Sequence, residues 1–168
     1  PEGDLITNLS SDTRLAVAPV DCLRREIHPY RDWQAYSKVR KIIAEFKPEV
    51  VHTHSAKAGV IGRAAAWSLG VPAIVHTVHG APFHRFQSGV SRALFRFAER
   101  WAAKRCHHLI SVADAMTDLL VESGVAPAEK FTTVYSGMNV EPFLKSSKFR
   151  MSVRKKYGFS DEHIVIGK

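Results

Sequence analysis

The sequence predicts an α/β fold, a parallel sheet with helices on both faces. Short apolar runs alternate with longer segments of helical period, and glycine or proline punctuates the joints between them. The ends of several apolar runs are also unusually polar, as expected where strands open onto a ligand cleft.

Leu15 to Val20 is a short apolar run ended by Asp21 and reads as a strand. From Asp32 to Phe46, residues Trp33, Tyr36, Val39, Ile43 and Phe46 recur at helical spacing, and Lys47-Pro48 stops the helix. Glu49 to Thr53 reads as the next strand. A Gly- and Ala-rich helix follows from about Ala56 to Leu69, with Gly70 in the cap position and Pro72 beyond it. Ala73 to Val78 is a strand, HGAPFHRFQSG a loop, and Val90 to Lys104 a long helix. His108 to Val112, Asp114 to Glu122 and Phe131 to Tyr135 read as strand, helix and strand. Beyond them the pattern changes to a turn-rich, basic stretch. Residues 1–135 are therefore expected to form one domain and 136–162 a connection. The apolar run His163 to Ile166 makes 163–168 the start of a second domain.

The chain has 168 residues, 45% of them hydrophobic, which excludes a disordered tail. No apolar run approaches the ~18 residues of a spanning helix. Cys22 and Cys106 are the two cysteines, which argues against a disulfide scaffold and for a reducing compartment. The net charge is +8. Part of it lies on the helix VSRALFRFAERWAAK, where Arg92, Arg96, Arg100 and Lys104 recur every fourth residue beside Val90, Leu94, Phe97 and Trp101. Such a ridge suits anionic lipid headgroups, or a solvated helix face. No nucleic-acid motif accompanies it, so nucleic acid is not an expected partner.

The chemistry concentrates at two strand ends. In VHTHSAKAGVIGR, Ser55 is placed to cap the following helix, Lys57 lies in its first turn, and Gly59 and Gly62 follow; together they suit a phosphate or sugar hydroxyl, or only close helix–sheet packing. In VHTVHGAPFH, His79 ends a strand beside Gly80, whose missing Cβ leaves room for a ligand. A histidine there can hydrogen-bond a phosphate or a developing charge near neutral pH. His52/His54 and His76/His79 form HxH and HxxH pairs, but no acidic residue or cysteine lies nearby to complete a zinc site. No GxSxG elbow occurs, and Cys106 in KRCHH reads as a buried small residue.

Taken together, VVHTHSAKAGVIGRAAAWSLGVPAIVHTVHG, the later SVADAM, VYSGMNVEPF and the earlier LRREIHPYRD resemble the family-4 retaining glycosyltransferases. The resemblance implies a Rossmann-like sheet forming the amino-terminal, acceptor-side half of a two-domain GT-B architecture, here without its first strand. It implies sugar transfer with retention, from a nucleotide-diphosphate sugar to a saccharide or lipid-linked acceptor, in cell-surface polysaccharide or glycolipid synthesis. The nucleotide sugar is a co-substrate, and no metal or other cofactor is required. His79 matches the cleft histidine that contacts the transferred sugar or the departing phosphate. His54, Ser55 and Lys57 match a strand-end segment facing the same cleft; with Gly80 and with Ser111, which opens the segment after the fourth apolar run, they are the expected substrate-binding residues. The connection departs from the usual Asn-Gly-x-Asp, reading Ser136-Gly137-Met138-Asn139.

The donor-site residues are expected outside these 168 residues, so the chain alone is expected to be inactive and to bind nucleotide sugar poorly. The expected setting is cytoplasmic, peripheral on the inner face of the cell membrane, with Arg92, Arg96 and Arg100 as membrane or anion contacts. Two other readings share the same sheet: a sugar-nucleotide epimerase and a non-enzymatic binding module.

Overall fold

A computed structural model describes residues 12–166. The first residues of the expected amino-terminal domain and the last two of the 163–168 segment lie outside the described residues. The chain divides into two compact units, Pro1–Tyr135 and Ser136–Lys168.

The first unit opens with helix α1, Pro29–Phe46, which starts three residues earlier than the apolar spacing alone suggests. Pro29 at the first helical position carries no amide to leave unpaired. His28 caps the end by accepting from Arg31 N, while its own amide donates to the Asp32 carboxylate at 3.1 Å. The helix stops where Lys47 turns left-handed ahead of Pro48. Strand β1, Val50–His54, leads into α2, Ala56–Ser68. Gly70, at φ +66°, closes α2: its amide donates to Trp67 and that of Val71 to Ala66. Strand β2 is Ala73–Val78, α3 Gly89–Ala103, β3 His108–Ser111, α4 Asp114–Glu122 and β4 Phe131–Thr133. Gly124 ends α4 with the same hydrogen-bond pattern, which brings buried Val125 over buried Leu120.

The four strands are parallel and lie in sequence order, so each is joined to its neighbour by a helix. Crossovers of one hand, all stepping the same way, place those helices on one face, so the sheet is parallel as expected but these helices do not cover both of its faces. Burial follows that rule among the described residues, with buried Thr77 on the open face as an exception. Thr53, Ile74, His76, Val78, Leu109 and Ser111 are buried beneath the helices, whereas Val50, His52, His54 and Thr132 on the alternate face are exposed. The core joins Ile74, Val78, Leu109, Ala65, Ala66, Ala103 and Leu120.

Two expected strands do not form. Leu15–Val20 pairs with no strand among the described residues and lies against the end of α1, beside Ile42, Ile43 and Phe46. His163–Ile166 is likewise unpaired, with Ile164 and Ile166 exposed. An apolar run becomes a strand only when a neighbour takes up its amides and carbonyls, and neither segment has one among the described residues. The second unit instead folds as α5, Glu141–Leu144, a 3₁₀ turn at Ser146–Phe149, and α6, Arg150–Lys156. Within it, Arg154 reaches the carbonyls of Ser160 and His163.

Helix α2 approaches the sheet closely. A Cβ added at Gly59 would lie 2.3 Å from the His76 ring, and one at Gly62 2.7 Å from Thr53 Cγ2. On the same helix Arg63 is fully buried. Its Nε donates to the Gly59 carbonyl and its Nη2 to Glu99 of α3, each at 2.9 Å. His76 is held neutral by this packing: burial and the nearby Arg63 charge lower its pKa to about 3, and Thr53 Oγ1 sits 2.9 Å from its Nδ1.

Between that value and the ordinary 6.5, the unfolded chain carries one more proton at this position than the folded one. The stability that neutral His76 contributes is therefore complete above about pH 6.5. It is lost as pH falls toward 3, by up to ~1.4 kcal/mol per pH unit. Urea unfolding from pH 7.5 to 5 should show this loss, and the His76→Gln variant should show a shallower one. Equal slopes would exclude His76 as the source.

Candidate functional site

The carboxyl ends of β1 and β2 lie side by side because the strands pair in parallel, His54 opposite Thr77. Strand alternation turns Thr53 and His76 toward α2, and His52, His54 and Thr77 to the other face. The four histidines of these strand ends consequently divide. His76 is buried and bound to Thr53. His52 Nε2 lies 2.8 Å from Thr77 Oγ1. Both are satisfied across strands, as is His108 with Thr132 at 2.8 Å.

His54 and His79 have no such threonine partner. They meet each other instead, His54 Nδ1 to His79 Nε2 at 3.0 Å, on an exposed edge. The His52 ring lies beside His54, tilted at 37° with centroids 4.3 Å apart. Partial burial, then the neighbouring His52 and His79 rings, push the His54 pKa below its ordinary value. The two residues singled out at separate strand ends thus form one pair. Gly80 follows, with open space where its Cβ would stand.

Ser55 is placed differently from the expectation. Its backbone is at φ 65°, ψ 154°, and its hydroxyl makes no cap bond to α2. A side chain held there costs about 1–3 kcal/mol and collects at ligand sites. The positive φ is also why the cap fails: it departs from the extended backbone from which a cap hydroxyl reaches the helix amides.

Lys57 is bound within the fold. Its ammonium pairs with Asp32 Oδ1 of α1 at 2.5 Å and donates to the Glu26 carbonyl. This link joins the amino ends of α1 and α2 and forms one wall of a cleft of about 570 Å³ lined by Arg25, Asp32, Lys57, Pro82, Gln87 and Phe95. Gln87 shapes the far wall, donating to the Pro82 carbonyl and accepting from His84 N. Asp32 carried no signal for this role in the sequence, because Lys57 lies in another helix, and Gln87 makes only local bonds within its own loop, with no motif to mark it.

Ser111 is not part of this edge. It is fully buried beside Thr117 at 2.5 Å and Thr133 at 3.3 Å, a hydroxyl cluster that fastens α4 to β3 and β4. Cys106 is buried, donates to the Ala103 carbonyl, and burial pushes its thiol pKa up. Among the described residues no three His, Cys, Asp or Glu side chains stand in a metal-binding group.

The basic ridge is only partly free. Arg96 donates to the Ser123 carbonyl at 2.8 Å and Arg100 lies against Gly124, while Arg92 is exposed. Beside them Val90, Leu94 and Phe97 form an exposed apolar stripe, Val90 being 82% exposed, and Phe86 in the preceding loop is 80% exposed. No helix among the described residues is long and apolar enough to cross a membrane.

The chain is similar to several known proteins. A galactosyltransferase of Escherichia coli, named for transfer from UDP-Gal to α-D-GlcNAc-diphosphoundecaprenol, is 30% identical over 141 residues, 84% of this chain and 36% of that protein. The capsular polysaccharide glycosyltransferase CapM of Staphylococcus aureus is 24% identical over 90% of this chain and 40% of its own length. The O-antigen chain mannosyltransferase RfbU of Salmonella typhimurium is 27% identical over 43% of this chain and 21% of its own length. The chain thus spans at most about two fifths of these relatives. A solved UDP-GlcNAc 2-epimerase from Neisseria meningitidis, bound to UDP-GlcNAc, is 14% identical over 82% of this chain and 37% of its own, with a TM-score of 0.49. Its likeness is too slight to carry an argument. Residues 7–142, most of the chain, match the description "Glycosyltransferase Family 4", and the chain belongs to that family.

Proposed function

We propose that this chain is the acceptor-side part of an enzyme that transfers a sugar from a nucleotide-diphosphate sugar to a saccharide or lipid-linked acceptor, with retention, in cell-surface polysaccharide or glycolipid synthesis. One observation supports it most: His79, with His54 bonded to it, stands at the open carboxyl edge of a parallel sheet in a family-4 chain. The relatives' names point the same way, toward undecaprenyl-diphosphate-linked sugars, O-antigen and capsule.

In the proposed reaction the acceptor hydroxyl attacks the anomeric carbon on the face the diphosphate leaves. The new C–O bond forms as the C–O bond to the diphosphate breaks, and the hydroxyl proton passes to the departing phosphate oxygen. His79 supplies a hydrogen bond to the transferred sugar or the leaving group that strengthens as charge develops. The cleft beside Lys57 and Asp32 offers both charge signs and an apolar wall for an acceptor sugar. No resident cofactor or metal enters this scheme.

A lipid-linked acceptor brings the membrane into the reading. The exposed stripe of Val90, Leu94 and Phe97, flanked by Arg92, Arg96 and Arg100, has the form of a helix that lies in an interface with anionic headgroups. We place the protein on the inner face of the cell membrane through this helix, in the cytoplasm.

In the full-length enzyme, His79→Ala should lower kcat by on the order of 10²–10³ with a much smaller change in donor affinity. Unchanged turnover would remove His79 from the reaction, and a 2-epimerised product without transfer would favour an epimerase. The 168-residue chain should sediment with phosphatidylglycerol-containing vesicles and not with pure phosphatidylcholine, and less so as salt rises. Leu94→Ser with Phe97→Ser should weaken that binding, as should Arg92→Gln. Binding unaffected by both changes would place the contact elsewhere.

A further inference from the structure

The contact between His54 Nδ1 and His79 Nε2 constrains both rings. A neutral imidazole has one N–H and one bare nitrogen, so one ring donates across this contact and the other accepts. If His54 donated, both rings would carry their proton on Nδ1. If His79 donates, both carry it on Nε2, the form a free histidine side chain prefers. The second arrangement satisfies the contact with neither ring in its less favoured tautomer.

The surroundings support it. His54 is wedged between His52, at a centroid distance of 4.3 Å, and His79, at 5.3 Å. His52 is itself fixed by Thr77 Oγ1. Partial burial, then the neighbouring His52 and His79 rings, disfavour a positive charge on His54 and lower its pKa. A neutral His54 has a bare nitrogen to offer.

We propose that His54 is a positioning residue for His79: its bare Nδ1 accepts the Nε2–H of His79 and so leaves Nδ1 of His79 unprotonated. This rests on the reading of His79 as a ligand contact and sharpens it. In this tautomer neutral His79 accepts a hydrogen bond from a sugar hydroxyl, whereas a phosphate oxygen, itself an acceptor, finds no proton there. Such a hydroxyl becomes a better donor as positive charge builds on the sugar ring, so the bond strengthens in the transition state. His54 thereby plays for His79 the part that an orienting acceptor plays for catalytic and metal-bound histidines.

Long-range ¹⁵N–¹H NMR on the 168-residue chain at pH 8 reads the tautomers directly. His79 should show a protonated Nε2 and a bare Nδ1. His54→Phe removes the acceptor and should return His79 to a mixture of tautomers, whereas His54→Asn, whose amide oxygen accepts, should preserve the single form. A proton on Nδ1 of His79 in the unaltered chain would overturn the proposal. So would an unchanged His79 signature in His54→Phe with a native amide spectrum. Should His54→Phe fail to fold, the unaltered chain and His54→Asn still decide the matter. The outcome needs no substrate, so it stands apart from any failure of His79→Ala to slow the enzyme.

Discussion

The distance between α2 and the β1–β2 pair is the constraint on which the rest of the first unit depends. Gly59 and Gly62 have no side chains to hold the helix away, so its backbone rests on the His76 ring and on Thr53. Arg63 then reaches past Gly59 to Glu99 and ties α2 to α3. A buried pair of this kind is weak evidence of net stability, because desolvation offsets much of the attraction. Its consequence is positional: with either partner removed, the other is left charged in the core, which fixes the two helices relative to each other.

From that contact the site follows. Thr53 and His76 are committed to the helix face, so strand alternation commits His54 to the other. The parallel pairing of β1 with β2 then brings His79 to it. The chain must pass from an exposed strand end to a closely seated helix at Ser55, and it does so with the strained backbone found there. Lys57 and Asp32 hold α1 across the same junction. Histidines that look equivalent in VHTHS and VHTVHG thus divide into threonine-bound struts and one exposed pair.

Much of this was legible in the sequence. Ala73–Val78 and Asp114–Glu122 have the expected bounds, because their apolar periods are clean and their ends carry caps or turns. Gly70 and the Lys47-Pro48 stop act through local backbone chemistry, which sequence shows directly. What was hidden depends on neighbours far along the chain. Leu15–Val20 and His163–Ile166 have strand composition but no strand to pair with among the described residues. Ser111 looked like a cleft residue until Thr117 and Thr133 closed over it. The Arg63–Glu99 pair, 36 residues apart, left no mark in either local pattern. Val90, Leu94 and Phe97 read as a stripe, yet only the burial of Ala102, with half-buried Ala98, shows which side faces outward.

The central claim is that close seating of α2 on β1 and β2 builds the first unit, and comparing two glycines tests it most directly. Ala in place of Gly within a helix would ordinarily stabilise by about 1 kcal/mol. At Gly59 the new methyl would meet the buried His76 ring at 2.3 Å, whereas at Gly80 nothing lies within 4 Å. Chemical unfolding should therefore find Gly59→Ala less stable than the unaltered chain by about 1–3 kcal/mol, and Gly80→Ala nearly unchanged. A Gly59→Ala chain as stable as its parent would contradict the account.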